Sequence, residues 1–161
     1  MSAEVDWVLE QLGSVVGSTT VPLKRVNRDE SEILEDDIRK RKGDLQQANF
    51  VGATLADRDP EPLGFEYDHE VETVVGVRVE GLHAAEWGHI DPAGADGIPW
   101  DELVRRIKRA LLAERTYPAV GAPDTDYHSL LITNVAPDSA SYRDYYRTDF
   151  DVVFQGDETL P

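Results

Sequence analysis

Between Val71 and Glu80 the chain alternates without a break. Val71, Thr73, Val75, Val77 and Val79 fall on one side, and Glu72, Val74, Gly76, Arg78 and Glu80 on the other. A period of two sends these sets to opposite faces of a β-strand. One face is wholly β-branched, which is the pattern of a sheet covered on one side. The rest of the chain must therefore supply partner strands and a layer to bury that face.

The covering layer is legible as a helix after Pro99, where Trp100, Leu103, Val104, Ile107, Ala110 and Leu111 form a helical apolar stripe. Pro99 suits the first turn. Asp101 and Glu102 stand near the start, with Arg105, Arg106, Lys108, Arg109 and Arg115 further on, the charge order a helix dipole favours. Tyr117-Pro118 is read as its stop. Partner strands are expected at three places. Asn49–Leu55 alternates over two faces until Asp57–Pro62 breaks it. Ser129–Val135 is apolar on both sides through Leu130, Leu131, Ile132 and Val135, as in a central strand. Tyr145–Phe154 sets Tyr146, Thr148, Phe150, Val152 and Phe154 against Tyr145, Arg147, Asp149, Asp151 and Val153.

A first helix is expected from Val5, Val8, Leu9, Leu12 and Val16, with Ser2 as its cap and Gly13 or Gly17 as its end. Trp7 lies off that stripe and is either core edge or a partner anchor. Gly17–Thr20 reads as a linker. Acidic Asp29–Asp37 precedes basic Arg39–Lys42 and Gly43. That order fits a thinly anchored helix ending at Gly43 or an extended arm that orders on a neighbouring subunit, and both readings stay open. The expectation is one α+β domain with a mostly antiparallel four-stranded sheet and one long helix packed on one face. Its parts are an N-terminal helix (1–17), a charged arm or insertion (18–48), a sheet-and-helix core (49–156) and a tail (157–161).

Composition narrows the function classes. Thirty-two Asp and Glu face sixteen Lys and Arg, a formal net charge of −16. A carboxylate-rich surface with four lysines suits a cytosol of molar ionic strength; an acidic mesophilic protein is the plainer alternative. Phosphate would be repelled over most of the surface, so non-specific nucleic-acid binding is not expected. Ser2–Leu12 carries Glu4, Asp6 and Glu10, unlike a secretory signal. No apolar run approaches the roughly 20 residues of a membrane helix. The chain has no cysteine, which excludes disulfides and thiolate metal sites.

Catalytic signatures are missing. His69, His83, His89 and His128 lack the helical spacing of a zinc clamp, and His89 with Asp91 would give a metal only two ligands. There is no Gly-x-Ser-x-Gly elbow, dinucleotide fingerprint or phosphate loop. No enzyme activity and no cofactor are expected. The basic face of the 100–111 helix stands out in an acidic chain. Arg105, Lys108 and Arg109 either pair with neighbouring carboxylates or meet an acidic subunit, and the two roles are compatible.

The stretch Pro99–Ile107 resembles the single long helix of tail terminator and minor tail proteins of long-tailed viruses. Leu130-Leu131-Ile132-Thr133, followed by a variable loop, is similar to a strand of that family. The closing run Tyr145–Gly156 is similar to its aromatic last strand. Together with the acidic, arginine-rich composition, this resembles a version from viruses of halophilic archaea. The resemblance implies a hexameric ring without enzymatic activity. Such a ring sits at the head–tail junction of the virion after synthesis in the host cytoplasm. It caps the tail tube protein, docks to a head-completion or connector protein, and lets DNA pass without specific binding or membrane contact. Arg105, Lys108, Arg109, Tyr145 and Arg147 are the candidate interface residues. The 28–43 segment departs from the compact family pattern. A ferredoxin-like binding or regulatory module of a halophilic host is the rival reading, and a small hydrolase using His89 and Asp91 a third.

Overall fold

A computed structural model describes residues 3–15, 23–27, 38–62, 68–113, 117, 124–138 and 145–159. The Ser2 cap, the Gly17–Thr20 linker, the acidic run Asp29–Asp37 and the Pro118 stop lie outside these residues. The helices are α1 (Ala3–Gln11), α2 (Ile38–Gln47) and α3 (Trp100–Ala113). The strands are β1 (Lys24–Asn27), β2 (Phe50–Pro62), β3 (Asp68–Leu82), β4 (Asp124–Asp138) and β5 (Tyr145–Thr159). They form one mixed, mostly antiparallel sheet in the order β1-β2-β3-β5-β4.

The alternating segment is the middle of β3, flanked along its length by β2 and β5. Val71, Thr73, Val75, Val77 and Val79 are all buried, and they meet Val51 and Ala53 of β2 and Phe150, Val152 and Phe154 of β5 on one face. Helix α3 covers that face with Leu103, Ile107 and Leu111, and α1 extends the cover with Val5 and Val8, joined by Leu12 of the turn that follows it. Full burial of each such side chain contributes about 1.5–3 kcal/mol. Trp7 belongs to this core: its ring meets Phe154 edge-on at 5.4 Å.

The expected four-stranded sheet has a fifth strand. The short β1 pairs with Phe50–Ala53 in parallel. Parallel neighbours need a crossover between them, and α2 occupies that connection. It lies against the far face of the sheet, where Leu45, Ala48, Val26, Phe50, Leu82 and Tyr145 form a second buried cluster. The long helix α3 therefore covers one face, while the end of the other is covered by α2. The helix passes through Gly43 rather than ending there; packing of Leu45 offsets the roughly 1 kcal/mol a mid-helix glycine costs.

Two further expectations are corrected. Asp57–Pro62 does not end the strand: β2 shifts register once between Leu55 and Asp57, then pairs with β3 as far as Pro62↔His69. Beyond Ala53, among the described residues, β2 is a sheet edge, where a strand tolerates proline. Nor is β4 central. Among the described residues it pairs with β5 alone and forms the opposite edge. Its two-sided apolar pattern leaves Leu131 47% and Val135 41% exposed.

Candidate functional site

Helix α3 buries one face and offers the other to solvent beside the β4 edge. On that outer face Glu102 accepts hydrogen bonds from Arg105 Nη1 at 3.1 Å and from Arg106 Nε at 3.2 Å. Such exposed pairs contribute only a few tenths of a kcal/mol each. Arg105 and Arg109 remain exposed and Lys108 half-buried, so the basic stripe persists as a surface feature.

The stripe borders a groove of about 340 Å³ between α3 and the last strands. Its walls are Trp100, Val104 and Val135, with Thr148, Asp101, Arg105 and Lys108 at its polar margin. A break in the β4 ladder between Thr133 and Ala136 shapes it: Asn134 takes a left-handed φ of 54°, which Asn tolerates better than most residues. The bulge delivers Val135 to the groove. Trp100 is fixed there by its Nε1–H bond to Thr148 Oγ1 at 3.0 Å and by stacking on Tyr146 at 5.5 Å. A second recess of about 310 Å³ lies further along, between Leu111, Leu112 and Tyr117 on one side and His128, Ser129 and Leu130 on the other. The β4 edge, which has no strand partner on its outer side among the described residues, thus runs beside a ledge that is apolar and basic in turn.

No protein family matches this chain by sequence, and no curated protein does. Among solved structures, it has structural similarity to a chain of the "Virion of native gene transfer agent (GTA) particle". The TM-score is 0.37 and the identity 11%, over 66% of this chain and 69% of that one. At those values the likeness carries no argument about role.

The other candidates sit elsewhere. Tyr145 and Arg147 lie on the far face of the sheet, away from α3. Tyr145 is buried, and its hydroxyl donates to the carboxylate of Glu80 at 2.5 Å. Burial, then the nearby Glu80 charge, pushes the Tyr145 hydroxyl well above the usual tyrosine range. Arg147 Nη2 donates to Asp149 Oδ2 at 2.7 Å, and Arg78 Nε reaches Asp149 Oδ1 at 3.3 Å. Glu80 itself is 1% exposed, although its register on the outer face read as solvent. The strand pattern could not show that α2 closes over this end of the sheet.

The loop after β3 is built by side chains that read as possible ligands. His83 Nδ1 accepts the Ala85 N–H at 2.9 Å, and His89 Nε2–H donates to the Gln46 carbonyl of α2 at 2.9 Å. The Asp91 carboxylate accepts N–H groups of Ala93, Ala95 and Asp96 at 2.9–3.1 Å. The bonds from Asp96 and Ala93 hold its pKa below the usual value. Among the described residues no three His, Asp or Glu side chains gather as a metal site would require. Also among the described residues, no helix is long and apolar enough to cross a membrane. The residue that pattern reading passed over is Trp87, 80% exposed at the tip of this loop. A tryptophan between Glu86 and Gly88, outside every apolar stripe, was the available signal.

Proposed function

We propose that this chain is a structural subunit of a virion, a tail terminator that assembles head-to-tail into a ring. The ring caps the tail tube and joins it to the head-completion or connector complex. The role is architectural, with no catalysis and no cofactor.

One observation carries the reading: the two ends of the sheet are unlike. At one end the β4 edge exposes Val135 beside the basic face of α3, and Leu131, paired with Val153, on the far face. At the other, among the described residues, β1 covers only Phe50–Ala53, and the sequence of the β2 segment beyond it sets Asp57, Asp59 and Glu61 against one arginine, Arg58. Head-to-tail contacts close a ring only when complementary patches lie on different sides of a subunit. An apolar, basic edge and an acidic edge meet that condition. The resemblance of Pro99–Ile107, Leu130–Thr133 and Tyr145–Gly156 to tail terminators supplies the biological setting. A strongly acidic ring would also let DNA pass without adhering.

The test is charge reversal on the helix. Arg105→Glu with Arg109→Glu leaves the monomer folded, since both side chains are solvated. It weakens assembly because like charges then face each other across the contact. Circular dichroism checks the fold, solution mass the ring, and a joining assay with purified heads and tails the function. A double variant that still forms rings and joins heads to tails removes the basic face from the mechanism.

A further inference from the structure

We propose that Trp87 of one subunit seats in the α3/β4 groove of the next. This rests on the ring assembly above and names its contact. Trp87 has a left-handed φ of 69°, a conformation that is strained for a bulky residue. The surrounding loop imposes it. Trp87 N–H donates to the Ala84 carbonyl at 3.0 Å and Gly88 N–H to the His83 carbonyl at 3.0 Å. At Gly88 a Cβ would stand 2.0 Å from the Leu82 carbonyl oxygen, so the next residue has to be glycine. Gln46 of α2 clamps the turn through the Glu86 carbonyl, 3.1 Å away, while its own carbonyl holds His89. The result is a rigid knob that presents an indole to solvent, and tryptophan is the residue most enriched among interface anchors.

The groove has the matching shape and chemistry. At about 340 Å³ it exceeds by a factor of two the roughly 150 Å³ that already admits a benzene ring. Trp100, Val104 and Val135 supply apolar walls, and Arg105 and Lys108 place cations where an aromatic face would lie. Charge favours a second copy of this chain as the occupant. The His83–Gly97 loop carries Glu86, Asp91 and Asp96 and no lysine or arginine, whereas the groove margin sets Arg105 and Lys108, with the adjoining Arg109, against Asp101. The turn is fastened to α2 through Gln46, while His83 at its base stacks on Tyr146, the ring that also packs on the groove wall Trp100. Trp87 is 80% exposed and lines no part of its own subunit's groove, so one subunit can give its tryptophan to one neighbour and receive that of the other, the head-to-tail arrangement a ring needs.

The chain has no cysteine, which makes the contact directly testable. Ala85 and Ala136 are exposed, one beside the knob and the other beside the groove. Ala85→Cys and Ala136→Cys are prepared separately, mixed at molar salt and treated with a short bis-maleimide. Covalent dimers should form in the mixture and in neither variant alone. Trp87→Gly relieves the left-handed strain, so the monomer melts no lower than wild type, yet assembly should weaken about 100-fold and cross-linking fall at least tenfold. A wild-type ring whose mixed variants do not cross-link, with Trp87→Gly assembling normally, overturns this contact and leaves the ring standing. Trp87 contacting a tail or head protein in an intact ring overturns it as well. A wild type that is monomeric at every salt brings down the ring and the contact together.

Discussion

Replacing Tyr127 by phenylalanine should loosen α1 from the sheet. Glu4, in the first turn of α1, is only 4% exposed, although its carboxylate counts toward the acidic composition. The Tyr127 hydroxyl on β4 donates to Glu4 Oε1 at 2.7 Å, and Thr73 Oγ1 on β3 lies 2.8 Å from that hydroxyl. Because the carboxylate only accepts, Thr73 is the donor in the second bond. One oxygen thus links a helix and two strands through the core. A hydrogen bond to a charged partner contributes about 1.5–3 kcal/mol, and a buried carboxylate that loses one is not resolvated. Tyr127→Phe should therefore cost about 1.5–3 kcal/mol, a fall in the melting midpoint of about 3–12 °C for a chain of this size. Glu4→Gln, which keeps an acceptor, should cost less. Removing both partners in Glu4→Leu with Tyr127→Phe should cost less than the sum of the single changes. Urea unfolding at molar salt, followed by circular dichroism, measures these three variants and Glu4→Leu alone, which closes the cycle. A Tyr127→Phe effect within about 0.5 kcal/mol, with an additive cycle, would refute the reasoning.

Three further outcomes follow from the same account. Thermal midpoints should rise from low to molar salt, because screening relieves the self-repulsion of a net −16 chain; a flat profile contradicts the salt-adapted reading. Truncating the buried Phe150 to alanine should cost about 3–5 kcal/mol, whereas Asp149→Ala, on the opposite and part-exposed face, should cost far less; the reverse order would place the strand one residue out of register. The folded chain keeps the Tyr145 proton where the unfolded chain loses it, so this contribution is intact below about pH 10 and declines as pH rises further. Tyr145→Phe should flatten that alkaline decline, and an unchanged slope on alkaline unfolding would count against it.

What the sequence made legible were the elements whose pattern follows from one dominant contact surface. β3, β5 and α3 each carry a long stripe with a single period, and their buried faces are the expected ones. β1 was hidden because four residues hold too little periodicity, and its partner lies beyond a crossover. The run through Pro60 and Pro62 read as a break because local rules cannot tell an edge strand from an interior one. β4 misled for the opposite reason. Leu131 and Val135 look like core in a chain considered alone and are surface in the folded subunit, which fits burial by a neighbour in the proposed ring. For the candidate site, the charge contrast of Arg105, Lys108 and Arg109 was visible. The groove beside them depends on the Asn134 bulge, and the exposure of Trp87 on a loop geometry set by Gly88 and α2. No one-dimensional pattern encodes either.

The most direct test of the central claim is the mass of the protein in solution at molar salt, with and without tail-tube protein. Ring assembly predicts a discrete species several times the 18.0 kDa of one chain, which associates with the end of tail tubes. A monomer at every salt concentration that also ignores tail tubes would contradict it.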